Sequence, residues 1–122
     1  MKISLHNAEH YKWGTNCDGW HLLKSSSLSV IQERMPEGSM EIAHFHSKSQ
    51  QLFYVLSGAA AIQVGDETTI LTSGECIHVP CGATHSIANK GTQTLEFLVI
   101  SEPMAHGDRS NIELKPDESD TE

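Results

Sequence analysis

Two histidines separated by one residue, His44 and His46, are the first side chains in this sequence whose spacing suits shared chemistry. On a strand, residues i and i+2 point to the same face. That is the simplest way for one strand to offer two imidazoles to one ion. Gln51 brings a side-chain carbonyl to the same place if a short turn over 47–50 returns the chain. His85 follows Pro80-Cys81-Gly82-Ala83-Thr84, a tight corner that can aim the first inward residue of a new strand at a fixed point. Imidazole suits Zn, Cu, Fe and Ni, and oxygen donors widen the range to Mn. A lone HxH pair is a weak signal by itself. His6, His10, His21 and His106 read as surface or core-capping residues.

These side chains need a scaffold, and the surrounding pattern supplies one. Short apolar or alternating runs cover 28–35, 41–46, 52–56, 60–64, 68–71, 76–79, 84–88 and 95–100. Turn signals stand between them: Pro36-Glu37-Gly38, Gly65-Asp66, Ser73-Gly74, Pro80-Cys81-Gly82 and Asn89-Lys90-Gly91. No stretch of this region sustains a helical period for three turns. Many short strands at this spacing predict an all-β barrel or sandwich. Leu52-Phe53-Tyr54-Val55-Leu56 and Leu95-Glu96-Phe97-Leu98-Val99-Ile100 are apolar on both faces. Their outer faces therefore need a cover, either a second layer of sheet or another subunit.

The residues then fall into a known pattern. Gly38, His44, His46, Gln51 and Gly58 fit G-x5-H-x-H-x4-E-x6-G, with Gln in place of Glu. Gly74, Pro80, Gly82, His85 and Asn89 fit G-x5-P-x-G-x2-H-x3-N at every position. In this the chain resembles the cupin superfamily, in particular its small single-domain bacterial members. The resemblance implies a double-stranded β-helix, or jelly-roll barrel, with a metal inside its wider mouth. It carries the ligand roles onto His44, His46, Gln51 and His85, and implies one divalent ion such as Zn, Ni, Mn or Fe. The glycines and Pro80 read as corner residues and Asn89 as a turn cap.

Gln51 departs from the family pattern. An amide carbonyl is neutral, so three imidazoles and one amide leave the ion's charge uncompensated. Such an ion polarises bound oxygen more strongly and supports a higher oxidation state less well. The His/His/Gln/His set resembles that of small cupins that open unsaturated uronate sugars. The chain also looks like small cupins loosely labelled sugar-phosphate isomerases. The expectation is a Lewis-acid enzyme of isomerase or lyase type acting on a small sugar acid or other oxygen-rich metabolite. The rivals are a non-catalytic small-ligand-binding or sensory cupin and a metal-dependent dioxygenase. No residue is assigned as general base.

Composition excludes other classes. The 122 residues suffice for one domain, with 38% hydrophobic and 20% charged residues. The formal charge of −8 opposes binding to nucleic acid, and half of it comes from Asp117, Glu118, Asp120 and Glu122. Three cysteines without close pairing argue against a disulfide framework. There is no apolar run of membrane-spanning length and no secretory pattern, so a cytoplasmic location is expected. The expected organisation is one barrel with an N-terminal extension over 1–107, followed by an acidic tail over 108–122 that frays. Trp13 and Trp20 are expected in a loop before the barrel, either swapped onto a partner or packed over one end. Cys81 is read as a bystander near the metal mouth rather than a soft ligand, and Arg109 as part of a surface turn rather than a carboxylate clamp. A homodimer is expected to cover one of the two apolar faces.

Overall fold

The computed structural model describes residues 1–105 and 107–111. Eleven strands follow in order: β1 (Glu9–Trp13), β2 (Cys17–Lys24), β3 (Ser29–Met35), β4 (His44–His46), β5 (Gln50–Ser57), β6 (Ala59–Val64), β7 (Glu67–Thr72), β8 (Cys76–Val79), β9 (His85–Ala88), β10 (Leu95–Glu102) and β11 (Arg109–Asn111). They form two sheets, ordered β1-β2-β3-β10-β5-β8 and β11-β4-β9-β6-β7. Every pairing within them is antiparallel. The two sheets face one another as a jelly-roll barrel, as the strand pattern and the family resemblance implied.

The pleat sorts the side chains. In β3 and β10 burial alternates strictly, so Ile31, Glu33 and Met35 face inward beside Leu95, Phe97 and Val99. On β5 the inward residues are Gln51, Phe53 and Val55. Phe53, Val55, Phe97, Val99, Met35 and Leu95 pack against Ile62, Leu71, Val79 and Ile87 to make the core. Gln51 pairs with Ser101, and Ser101 with Ser29, so one end of the inner face is a polar row. The core closes one end of the barrel and leaves polar side chains at the other, where a site can form.

Turn chemistry fits the motif residues. Gly58 has φ +86°, and a Cβ there would lie 2.7 Å from the Thr94 carbonyl oxygen, so both conformation and space exclude a side chain. Asn89 caps its turn from within: its Nδ2 donates to Met35 O and Gln93 O, and its Oδ1 accepts from Gly91 N.

One expectation fails at the N-terminal end. Trp13 and Trp20 are not in a loop, because 9–24 forms the hairpin β1–β2, which adds to the sheet of its own chain through β3. Its turn uses Gly14 at φ 51° and Asn16 at φ 60°. Trp13 is buried in the core, and Trp20 lies beneath the Arg34 guanidinium, 4.8 Å from its ring centroid. A segment as polar as Glu9-His10-Tyr11-Lys12 carries no strand signal of its own; pairing with β2 makes it one. At the other end, Arg109–Asn111, inside the expected tail, forms a strand that pairs with β4, register Arg109 to His46 and Asn111 to His44. Residues 112–122, the rest of the expected tail, and His106 lie outside the described residues.

Candidate metal centre

β4 carries His44 and His46 on one face, both buried, and His44 is the register partner of His85 on β9. The ring centroids lie 4.4 Å apart for His44–His85, 5.0 Å for His44–His46 and 5.5 Å for His46–His85. One ring nitrogen from each comes within 4.8 Å of the others, close enough for the three to hold one ion. The corner before β9 turns at Gly82, φ 83°, and the Gly82 N–H donates to His46 O, which ties the two histidine strands together.

Each imidazole is oriented through Nδ1. His44 Nδ1 meets Ile42 O at 2.8 Å, His85 Nδ1 meets Ala83 O at 3.0 Å, and His46 Nδ1 meets Asp108 O at 3.2 Å. A carbonyl can only accept, so Nδ1 carries the proton in all three rings. The Nε2 lone pairs are thereby left facing the cluster. Two of these carbonyls lie two residues upstream of their own histidine. The third comes from the C-terminal segment.

Gln51 sits on the inner face of β5, two residues from Phe53, whose ring centroid is 5.8 Å from that of His85. The Gln51 Nε2 donates to Ser101 Oγ at 3.0 Å, which turns the amide oxygen the other way. That oxygen is buried and has no hydrogen-bond partner among the described residues. Three buried imidazoles oriented through Nδ1 are a donor set that fits a divalent transition metal, and the unpartnered Gln51 oxygen on the inner face of β5 is a further donor of the same kind.

Two acidic residues beside the site, Asp108 and Glu41, and a third inside the barrel, Glu33, were given no role from the sequence. Asp108 clasps the loop between His46 and Gln51: its carboxylate accepts from Ser47 N, Ser47 Oγ, Lys48 N and Ser49 N. Burial by itself would raise its pKa, but the N–H groups of Lys48, Ser49 and Ser47 and the Ser47 hydroxyl outweigh this and lower it. Glu41 is fully buried, with Oε1 3.8 Å from His44 Nδ1 and Oε2 3.8 Å from Arg109. Glu33, also fully buried, accepts a 2.6 Å hydrogen bond from Tyr11 Oη. The inward alternation of Ile31, Glu33 and Met35 could have revealed Glu33. No strand pattern could have revealed Glu41, because 41–43 lie outside the β4 ladder.

Of the secondary candidates, Cys81 is exposed and donates to Ser47 O, apart from the three-histidine group. Arg109 is not a surface turn: its side chain is 8% exposed, and its guanidinium donates to Ile42 O and Asn111 Oδ1. His6 and His10 are exposed, and His21 packs beside Tyr11.

The chain is 28% identical over 94 residues to an uncharacterized protein of Methanocaldococcus jannaschii, covering 76% of this chain and 75% of that one. It is also 28% identical over 85 residues to the oxalate-binding protein of Thermotoga maritima, covering 66% and 70%. Among solved structures it superposes on a sugar phosphate isomerase from a cupin superfamily of Silicibacter pomeroyi with TM-score 0.73. That pair is 20% identical and covers 85% of this chain and 76% of the other. The family model for the cupin domain matches residues 31–101, which include both histidine strands and Gln51; the chain belongs to the cupin family.

Proposed function

We propose that this protein is a metal-dependent enzyme of isomerase or lyase type, acting on a small sugar acid or a related oxygen-rich metabolite. The observation that carries the reading is the set of three buried histidines, each proton held on Nδ1 by a carbonyl, with ring nitrogens within 4.8 Å of one another. His44, His46, His85 and Gln51 would hold the ion, identified only as Zn, Ni, Mn or Fe. When bound, such an ion supplies Lewis-acid polarisation of a carbonyl or carboxylate oxygen. The chain's own contribution is orientation. The three carbonyls fix the imidazoles, Ser101 fixes the Gln51 amide, and the Phe53 ring packs edge-on to His85. The ligand set is neutral, which favours polarisation over redox chemistry.

The test begins with elemental analysis, and then offers the Zn-loaded protein unsaturated uronates, keto sugars, aldoses and small dicarboxylates without dioxygen. Product under those conditions supports the reading, and strict dependence on iron and oxygen overturns it. Gln51→Glu is expected to tighten metal binding while slowing turnover. A second reading, a ligand-binding module, is favoured by the oxalate-binding relative. It predicts saturable binding with no product whatever the metal.

The outer face of β5 and β10 carries Leu52, Tyr54, Leu98 and Ile100, each half-buried, and exposed Leu56. We propose that a second copy of the chain covers it, since obligate interfaces are apolar. Sedimentation at micromolar concentration should show a dimer that Tyr54→Lys dissociates; a monomeric wild type would refute the pairing.

A further inference from the structure

The proposed ligand set carries no negative charge, yet a carboxylate stands directly behind it. Glu41 has no exposed side-chain surface, and its Oε1 is 3.8 Å from Nδ1 of His44, itself fully buried. Its Oε2 lies 3.8 Å from the Arg109 guanidinium, which also donates to Ile42 O, the carbonyl that orients His44. Arg109, Glu41 and His44 therefore form a buried series running from β11 to the centre.

An ion pair of this kind is a poor device for stability. Removing both charges from water costs about as much as their attraction returns, and apolar replacements of the same shape are often neutral or better. Its placement fits a different purpose. From the geometry we infer that Glu41 is a positioning residue and the counter-charge of the metal centre. It does from behind His44 what a carboxylate at position 51 does by direct ligation. Arg109 faces the other oxygen of the same carboxylate and competes with a bound ion for its charge. Once an ion binds, Glu41 lies between two positive centres. The His44 Nδ1–H stays on Ile42 O, and the negative charge 3.8 Å from that nitrogen makes the ring, and so Nε2, a stronger donor. The centre thus keeps an amide oxygen among its ligands, and a strongly polarising ion, without losing all of the affinity that a charged ligand supplies.

This inference rests on the metal centre proposed above, and the experiment separates the two. Zn²⁺ affinity is measured by competition with a chromogenic chelator, and the Co²⁺ ligand-field spectrum is recorded. The proteins compared are wild type, Glu41→Gln and Glu41→Gln/Gln51→Glu. The isosteric Glu41→Gln should bind about tenfold or more weakly, the usual cost of losing a partner just outside the ligand shell. Its Co²⁺ bands should shift. The double variant should recover most of the lost affinity, because a charge returned at position 51 replaces the one removed at 41. A purely structural Glu41 would not be rescued in that way. Glu41→Gln binding within twofold of wild type overturns the inference, as does a loss that Gln51→Glu fails to recover. If Glu41→Gln does not fold, Arg109→Gln decides. Freeing the carboxylate from its cation should tighten Zn²⁺ binding severalfold, and unchanged or weaker binding overturns the inference. A wild type that takes up no ion would sink the proposed metal centre and this inference with it.

Discussion

Replacing Asp108 with alanine tests whether the C-terminal segment positions the site. The carboxylate accepts from Ser47 N at 3.3 Å, Ser47 Oγ at 2.8 Å, Lys48 N at 2.9 Å and Ser49 N at 3.0 Å. Hydrogen bonds to a charged acceptor contribute about 1.5–3 kcal/mol each when shielded. The Ser47 and Lys48 groups, however, reach solvent and can turn to water; only the Ser49 N–H is partly buried. The expected loss is therefore about 1–2 kcal/mol in total rather than the sum of four bonds. The midpoint of urea unfolding should fall with little change in slope. The loop joins His46 to Gln51, and the Asp108 backbone carbonyl orients His46. Metal affinity should therefore drop about tenfold as well, and Asp108→Asn should lie between. Glu75 makes a similar pair of bonds to Thr72 away from the histidines. Glu75→Ala should leave metal affinity unchanged. If Asp108→Ala keeps wild-type metal affinity, the clasp does not position the site and the reasoning fails.

Three further outcomes are expected. His46→Ala or His85→Ala should abolish the binding of about one ion per chain while leaving the all-β circular dichroism intact; full metal content in both would defeat the ligand assignment. A Cβ at Gly19 would lie 2.2 Å from Tyr11 Cζ. Gly19→Ala should thus push the ring off Glu33, costing about 2–3 kcal/mol, but should be nearly silent in a Tyr11→Ala background; an equal cost in both would rule out this clash. Burial by itself would raise the pKa of Asp18, yet its bonds to Lys12 and His10 lower it below 3.8. Its stabilisation is accordingly complete above that value and is lost as pH falls through the lowered one. Acid unfolding of Asp18→Asn should lack this component, and a slope identical to wild type would show that Asp18 contributes none.

Much of the fold was legible because the inner strands are written in period two. Alternation alone puts Ile31 and Met35 on one face, Phe53 and Val55 on one face, and Phe97 and Val99 on one face, and their burial follows it. The expectation that 52–56 and 95–100 bear apolar side chains on both faces also holds, with Leu52 and Ile100 outward. The same rule misled at 41–46. Only His44–His46 is a strand, so Glu41 is not bound by the alternation that would have turned it away from the histidines.

In the sequence the histidine centre was legible through the two cupin-like motifs. HxH on a strand is a local device that puts two imidazoles on one face, while His85 joins them through the pairing of β4 with β9. Tertiary structure alone decided what surrounds it. Asp108 lies more than fifty residues from the loop it holds, Arg109 from the Glu41 it faces, and Tyr11 is far in sequence from Glu33. Such partners are joined by strand pairing: β11 against β4, and β1 through β2 against β3. Short polar strands of this kind carry no hydrophobic period to announce themselves. Their place is fixed by the backbone hydrogen bonds a neighbouring strand offers, a choice made only when the whole sheet assembles.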